Sequence, residues 1–521
     1  MHKNMPLVRS IIAAWMLMGL SLPLAAQVVI DNYPEQGARQ AYELALIRGS
    51  ISQAGEYSVR TVQPGPGGTP EKERPGIIQT AGGRFVALVR LFPGQNLVRI
   101  SGPDGSTALP LERVAEDSPA KVRIIALTPS DGNPRYQTPY ADDRQNYTER
   151  LTLAMLLLQT FTAESLNDQG RGRISFELER ATDGTIPVHL VPTAESRRFW
   201  MSDQGTSGQL SASASQAISN TLPPGPYKNM VWVLFTRGPG REGSSEYYPE
   251  LRGRDIPLYA HTAVGGGSNA LMGGANIWTL PDNLDTLLQA FQDRGDNQAV
   301  AMGGYDGADR RQMVNIFLGA SLHELGHALG LPHEGDKLSV MRRGYDTQGN
   351  QGFVRMFLVE DGGVPLDRSG LGRWDPLSME KLAESPWLVP RWINLCAENG
   401  FYLSDGGEFA TLVREPVPDT QWLALPAGPE NAWMLLYNRA SSQMLHIEEY
   451  RRGFVQTDRT VPSGYWSAQW QLEDGKLLNR WKPAYRFVIE EATETPRIAI
   501  QTTGTSATNW DMTDVLLPGR R

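Results

Sequence analysis

The spacing of apolar positions along this 521-residue chain changes twice and divides it into three. From residue 27 to about 117 the apolar residues come in short, partly alternating runs, "QAYELALIRGSIS", "YSVRTVQ", "GRFVALVRLF" and "NLVRISGP", broken by Gly, Pro and Asp. That texture predicts strands and turns. Its spacing suits a small Ig-like β-sandwich. From about 118, helical and strand periods alternate. "VRIIALTPS" reads as a buried strand, and "NYTERLTLAMLLLQTFTAESL" as a helix with Leu151, Leu153, Ala154, Leu157 and Leu158 along one side. "RISFELERA", "NMVWVLFT", "PLYAHTAVGGG" and "GANIWTLP" read as four more strands. "NLDTLLQAFQD" reads as a helix, "DRRQMVNIFLGASLHELGHALG" as a long helix ending at Gly330, and "DPLSMEKLAES" as a short last one. "SASASQ" and "LPPGPY" read as loops between them. Helices alternating with strands predict an α/β layer with a mostly parallel sheet over 118–392.

Beyond Leu395 the pattern is β again, with signs of repetition. "DTQWLAL", "SAQWQLED" and "ATNWDMTD" each place an amide residue directly before Trp422, Trp470 and Trp510, at spacings of 48 and 40 residues. Three β units of about 40 residues, each incomplete until the others close the core, predict a β-trefoil-like region over 396–521. An irregular β-sandwich with three core tryptophans is the other reading.

The chain is long enough for several domains, and 40% apolar residues suffice for real cores. Residues 1–26 read as an export signal: a short basic start, the apolar "IIAAWMLMGLSLPL", and small residues for cleavage after Ala26. As a membrane anchor the run is short and is interrupted by Gly19, Ser21 and Pro23. Removing it takes Lys3 and Arg9 and no acid, leaving 47 basic against 57 acidic residues, a net charge of −10. Such a balance argues against nucleic acid and anionic membrane surfaces as partners. The one cysteine, Cys396, allows no intramolecular disulfide.

Three of the seven histidines lie within "HELGHALGLPH". His323 and His327 are four apart on the long helix, so both imidazoles project from one face. Gly330 can adopt positive φ and, with Pro332, turns the chain to bring His333 round. Three ligands of this kind suit Zn²⁺ and leave a fourth position for water, the pattern of a catalytic site. Glu324 is placed to act as general base toward a zinc-activated water and then to pass the proton to a leaving amine. By chance the full eleven-residue pattern arises in on the order of one in 10⁵ proteins of this length.

This pattern resembles the extended zinc motif of the metzincins, which also carry a methionine turn beneath the metal. "SVMRRGY" supplies Met341 for that floor, and the resemblance raises Tyr345 as a residue reaching the metal or the reaction intermediate, with simple packing as the alternative. Glu334 is open to a hydrogen-bonding role near the site or to plain exposure. Four stretches further resemble a zinc metallopeptidase family with fungal and bacterial members: "LTLAMLLLQTFTAESLNDQGRGRISFELE", "AHTAVGGGSNALMGGANIWTLP", "FLGASLHELGHALGLPHE" and "SVMRRGYDTQGNQGF". The resemblance covers about 27–390, and 396–521 resembles a ricin-type β-trefoil. It implies a metzincin-like peptidase with His323, His327 and His333 as ligands. His261 and the glycine run at 265–268 invite an oxyanion contact and a phosphate loop. A hydrogen-bonded structural histidine and a tight bend near the cleft are the plainer readings.

The whole therefore predicts an exported zinc endopeptidase acting on protein or glycoprotein, with a C-terminal module for glycans and no lasting membrane span. The competing expectation is a carbohydrate-binding or adhesion protein whose metalloprotease-like domain is inactive. Glu324 is the discriminating residue, since loss of catalysis commonly removes the base.

Overall fold

The computed structural model describes residues 28–515 except 202–206, 235–262, 296–308, 345–351, 491–495, 502–506 and breaks of one to four residues. The export signal read at 1–26 lies outside the described residues, as do His261 and Tyr345. The protein is mostly β, with few long helices.

Nine strands come first: β1 (Val29–Ile30), β2 (Ala38–Gln40), β3 (Leu44–Ser50), β4 (Ser58–Pro64), β5 (Pro70–Pro75), β6 (Ile77–Ala81), β7 (Arg84–Arg90), β8 (Gly94–Gly102) and β9 (Gly105–Arg113). They form two sheets, β1-β3-β7-β6 and β2-β9-β8-β4-β5, antiparallel but for the parallel pair β2–β9. Ala45, Ile47, Phe85, Ala87 and Val89 from the first sheet share a core with Val59, Val98, Ile100, Leu109 and Leu111 from the second. The opposite face of β3 and β7 is not solvated. Leu44, Leu46, Val86 and Leu88 belong to the central core of the molecule. This explains why "LALI" and "FVALV" lack clean alternation: a strand buried on both faces reads as a continuous apolar run.

The element packed on that second face is α1 (Tyr147–Asp168), preceded by β10 (Lys121–Thr128). Sequence periodicity gave α1 one apolar side, yet it is buried almost all round from Leu151 to Leu166. Sheets and helices surround it, so Gln159, Thr160 and Thr162 are inside too. Thr160 Oγ1 meets its need by donating to the Leu44 carbonyl of β3 (2.7 Å) and to its own helix.

The main further central elements are β11 (Val188–Pro192), α2 (Ser207–Thr221), β12 (Tyr227–Val233), β13 (Ala263–Gly266), β14 (Asn269–Gly273), α3 (Leu284–Gln292), α4 (Arg310–Ala328) and α5 (Pro376–Glu384). The sheet order is β11-β10-β12-β14-β13, parallel except for β13, which runs antiparallel at one edge.

Three expectations need correction. "SASASQ" is not a loop but part of α2, which buries Leu210, Ala214, Ala217 and Ile218 at helical spacing. "RISFELERA" makes one isolated bridge, Val122 to Leu178, and no strand. "GANIWTLP" is a 3₁₀ turn over Gly274–Thr279; the strand is the preceding "NALMG". The turn begins where a Cβ on Gly274 would lie 2.3 Å from the Val233 carbonyl, a close approach that glycine permits. The strand β11 was unassigned; as the sheet's outer strand it leaves Leu190 exposed.

From Trp392 onward one sheet curls until its last strand, Trp510–Asp514, pairs with its first, Trp392–Ala397. Trp422, Trp470 and Trp510 are buried in its core. Two of the three Trp sites are near copies. Trp422 faces Asn438 and Trp470 faces Asn479 across paired strands. Gln421 accepts from Arg439 (2.5 Å) and Gln469 from Arg480 (2.6 Å). At the third, Asn509 instead donates to Glu398 (2.6 Å). Among the described residues, no helix is long and apolar enough to cross a membrane.

Candidate metal centre

Helix α4 opens with a capping box in which Asp309 accepts from Gln312 N (2.7 Å) and Gln312 returns the bond to Asp309 N (2.9 Å). It closes with two backbone bonds, Gly330 N to His327 O (3.0 Å) and Leu331 N to Gly326 O (2.9 Å). That pairing with Gly330 at φ +93° is a Schellman turn, and it throws the chain back across the helix end. His333 is thereby carried to the two helical imidazoles.

The three Nε2 atoms converge. His323 and His327 are 3.1 Å apart, His327 and His333 3.0 Å, His323 and His333 3.2 Å. His323 Nδ1 faces the Val340 carbonyl and His327 Nδ1 the Leu331 carbonyl, both at 2.8 Å. A carbonyl only accepts, so each Nδ1 carries the ring proton and each Nε2 presents a lone pair. Burial pulls the His323 pKa down to about 4, assisted by His327 and His333 against the Val340 bond. Burial also lowers His327. Both rings are therefore neutral at neutral pH, the state that ligates metal.

Lone pairs this close repel one another unless a cation sits among them. The triangle is close to the edge of about 3.3 Å that a tetrahedron with bonds of ~2.0–2.1 Å requires. Among the described residues this is the cluster whose donor atoms could hold a metal ion. His323 is buried, His327 intermediate and His333 exposed, so the centre opens to solvent on the His333 side.

Met341 lies beneath the helix, fully buried. A Cβ built on Gly326 would come within 2.5 Å of its Sδ, which explains the glycine between the two helical ligands. The methionine's turn is held from far along the chain. Ser339 Oγ accepts from Met341 N (3.0 Å) and donates to Asp375 Oδ2 (2.6 Å). Asp375 also caps α5 through Ser378 N (2.9 Å), and Val340 N donates to Arg373 O (2.9 Å). Glu334 offers its backbone N–H toward the Met341 carbonyl at 3.5 Å.

Glu324 is 8% exposed, and burial raises its carboxyl to about 7 against a hydrogen bond donated by Gly265 N–H. Gly265 belongs to the edge strand β13. A Cβ there would sit 2.2 Å from the Glu324 carbonyl and 2.7 Å from His327 Cβ. The glycine run at 265–268 thus forms a hairpin between β13 and β14, pressed against the helix that carries the imidazoles. The sequence reading of 265–268 put a tight bend near the cleft, but it missed Gly326, Ser339 and Asp375 as parts of this centre. The Asp-Pro helix start at 375–376 was the one local signal available.

A model of the family described as "Putative peptidase family" matches residues 29–388. A Schizosaccharomyces pombe protein named as a putative zinc metalloproteinase is 25% identical over 342 residues, 61% of this chain and 53% of that one. A Saccharomyces cerevisiae protein of the same description is 36% identical over 301 residues, 50% of this chain and 41% of that one. The chain spans about half the length of these curated relatives. Among solved structures, wild-type OgpA from Akkermansia muciniphila overlaps with a TM-score of 0.30 at 14% identity, over 57% of this chain and 74% of that one. That likeness is too shallow to argue from.

Proposed function

We propose that this chain, which belongs to the putative peptidase family whose model it matches over 29–388, is a zinc-dependent endopeptidase. The observation that carries the reading is the convergence of three imidazole nitrogens beside a buried carboxyl. His323, His327 and His333 would hold the metal, and Met341 would form the floor beneath them. Zinc there supplies Lewis acidity, bringing the pKa of a water toward ~7 and polarising the scissile carbonyl.

Glu324 does the proton work. Its carboxyl, raised to about 7 by burial, accepts the proton of the attacking water and delivers it to the leaving amine. One C–O bond forms, one C–N bond breaks, and Glu324 ends as it began. Gly265 N–H orients the carboxylate during the transfer. The backbone bonds to Val340 and Leu331 keep the imidazoles in the ligating tautomer.

The finer reading is metzincin-like, with residues 27–117 as an Ig-like sandwich, 118–392 as the catalytic unit and 396–521 as a β-trefoil-like module. Export through residues 1–26 and delivery to glycoproteins by the C-terminal module complete it. The closure of the last sheet and its two matching Gln-Trp sites support the three-unit reading. The test is cleavage of a protein and glycoprotein panel by the wild type and by Glu324→Gln, each with zinc content measured. The reading expects equal zinc and cleavage by the wild type alone. Zinc in both with cleavage by neither would overturn it, and a glycan array would then show whether the C-terminal module is the working part.

A further inference from the structure

A cavity of about 620 Å³ lies where the central layer meets the C-terminal region. α2 lines it with Gln216 and Ser219, β12 with Asn229, the turn between β13 and β14 with Ser268, and the C-terminal region with Pro462 and Gly464. Its two sides are fixed to each other, because Ala120 shares an apolar core with Leu423, Tyr437 and Val461, the residue before Pro462. Arg123 is the charged side chain on the lining, and it is matched. Its Nε is 3.1 Å from Glu179 Oε1, its Nη1 donates to the Pro223 carbonyl (2.9 Å), and its guanidinium lies 3.2 Å over the Tyr227 ring. The other oxygen of Glu179 meets His189 at 2.5 Å. Among the described residues no carboxylate lines the cavity, so a ligand finds hydrogen bonds there and no unanswered acidic or basic group.

Those hydrogen bonds are incomplete. At the base, Asn229 Nδ2 donates to Asn269 Oδ1 (2.9 Å), Asn269 Nδ2 to Ser215 Oγ (2.7 Å), and Ser215 Oγ to the Ser211 carbonyl (2.8 Å). The relay ends with Asn229 Oδ1, which has no partner although the residue is only 6% exposed. Turning both amides over exchanges the orphan acceptor for an orphan donor, so one amide end stays unmatched either way. Leaving a buried polar group unmade is costly, and such a group calls for an explanation. Nearer the mouth, Gln216 spends its Nδ-type amide hydrogens on Asn220 (2.8 Å) and Ser219 Oγ donates to the Gln216 carbonyl (3.0 Å), which leaves an acceptor on each. Directly after Gly464 come Tyr465 and Trp466, 59% and 55% exposed. Arg480 stacks over the Trp466 ring at 4.6 Å.

We propose that this cavity binds a neutral sugar, a hexose or N-acetylhexosamine unit of a glycan, between the central layer and the C-terminal region. A sugar hydroxyl both donates and accepts, so it satisfies the Asn229 amide end whichever way that amide is turned. The acceptors on Gln216 and Ser219 take further hydroxyls, and Leu222 and Pro224 on the same walls take the apolar face of the ring. The volume is that of a small-molecule site. A peptide is the poorer fit. β12 and β14 are each paired on both sides, so the cavity offers no strand edge for a backbone to join. This goes beyond the reading above, which gives glycans to the C-terminal module alone, and none of these contacts depends on the metal.

The test is titration calorimetry of the full-length chain with the methyl glycosides of glucose, galactose, N-acetylglucosamine and N-acetylgalactosamine, and with lactose and chitobiose. Glycerol and a blocked tripeptide serve as the other arms. Saturable binding of at least one sugar, and of neither glycerol nor the tripeptide, is expected. Ala212→Trp, at an exposed position on the cavity wall, fills the space and should abolish binding. Gln216→Ala and Asn229→Ala should each weaken it tenfold or more. Should Asn229→Ala fail to fold, Ala212→Trp and Gln216→Ala decide, because both positions are exposed. Sugar bound equally well by these two variants would overturn the proposal and leave the C-terminal module as the glycan site. No sugar bound at all, or the tripeptide bound in its place, would overturn it as well.

Discussion

Glu164 offers a way to ask whether the N-terminal sheets and the central helix are one cooperative unit. Its side chain has no exposed surface, and it gathers groups from both sides. Arg173 approaches at 2.7 Å and Arg48 at 3.3 Å, while Tyr42 OH donates at 3.2 Å and Asn32 Nδ2 at 3.1 Å. Arg48 belongs to β3, and Asn32 and Tyr42 to the turns between the N-terminal strands; Glu164 and Arg173 belong to α1 and the chain after it. Glu164→Ala removes the shared anion. Arg48 keeps Asp168 at 2.9 Å, and Arg173 keeps the Asn32 carbonyl and the face of Tyr33 at 3.7 Å. Stripping one partner from a buried ion pair costs ~3–5 kcal/mol, and the bond Arg48 retains places this case at about 3 kcal/mol. Glu164→Gln keeps the shape and an acceptor and should cost ~1–3 kcal/mol. A chain of this size does not unfold in two states, so the assay is native-state hydrogen exchange resolved by segment. Amides of β3 and α1 should lose protection together, while those around Trp422 and Trp470 keep theirs. Loss confined to residues 28–113, or a change under ~1 kcal/mol, would refute the shared unit and favour an independent sandwich.

Further outcomes follow from other contacts. Gly326→Ala drives a Cβ to 2.5 Å from the buried Met341 Sδ. Overpacking of ~1–3 kcal/mol is expected, with zinc affinity lowered ~10-fold or more as the Val340 carbonyl shifts from His323, read by chelator competition. Gly265→Ala meets backbone at 2.2 Å; cleavage should fall sharply in the peptidase assay while zinc is retained. Burial pushes the Glu43 pKa up, but Arg90, Arg113 and Arg180 more than offset it and hold it below 4.5. Its stabilisation is therefore complete above that value and lost as pH falls through the folded-state value. Wild type should exceed Glu43→Gln in stability at neutral pH, with the gap closing in acid; a gap independent of pH would contradict this. Asn438→Ala and Asn479→Ala should cost alike, ~1–3 kcal/mol each by native-state hydrogen exchange of the strands around Trp422 and Trp470, because each amide donates to a carbonyl in the 3₁₀ turn before its tryptophan, at 2.6 and 2.8 Å.

What was legible in the sequence was local. His323, His327 and His333 sit within eleven residues, on one helix and the Schellman turn that ends it, so spacing alone placed them together. The reach of α4 and the turn at Gly330 followed from the same stretch. What stayed hidden depends on distant neighbours. "GANIWTLP" is an apolar run that strand and 3₁₀ turn explain equally, and its choice rests on Gly274 against Val233. The one-sided stripe read on α1 took no account of β3, whose outer face covers its other side. For "SASASQ" the signal was present: Leu210, Ala214, Ala217 and Ile218 keep helical spacing under a polar composition that reads as loop.

The same division between local and distant contacts predicts how the centre responds to metal removal. Helix α4 is held by its own apolar contacts: Val314, Phe317, Leu318, Leu322 and Leu325 are buried in the central core with or without a metal. His333 has no such support, being exposed and carried on the turn after Gly330. Chelation leaves three ring nitrogens facing one another at 3.0–3.2 Å, and the strain is relieved most cheaply where the backbone yields. The segment that yields is 331–338, between the helix end and the Ser339–Asp375 anchor. Hydrogen exchange after zinc removal should therefore show deprotection over 331–338, with α4 and Met341 keeping theirs. Zinc added back should restore it, since metal binding and local ordering are one equilibrium. If α4 itself loosens on chelation, the helix owes its order to the metal and the imidazoles are not preorganised. If nothing changes, the repulsion among the nitrogens is too weak to move the turn, and local ordering of 331–338 is not coupled to the metal.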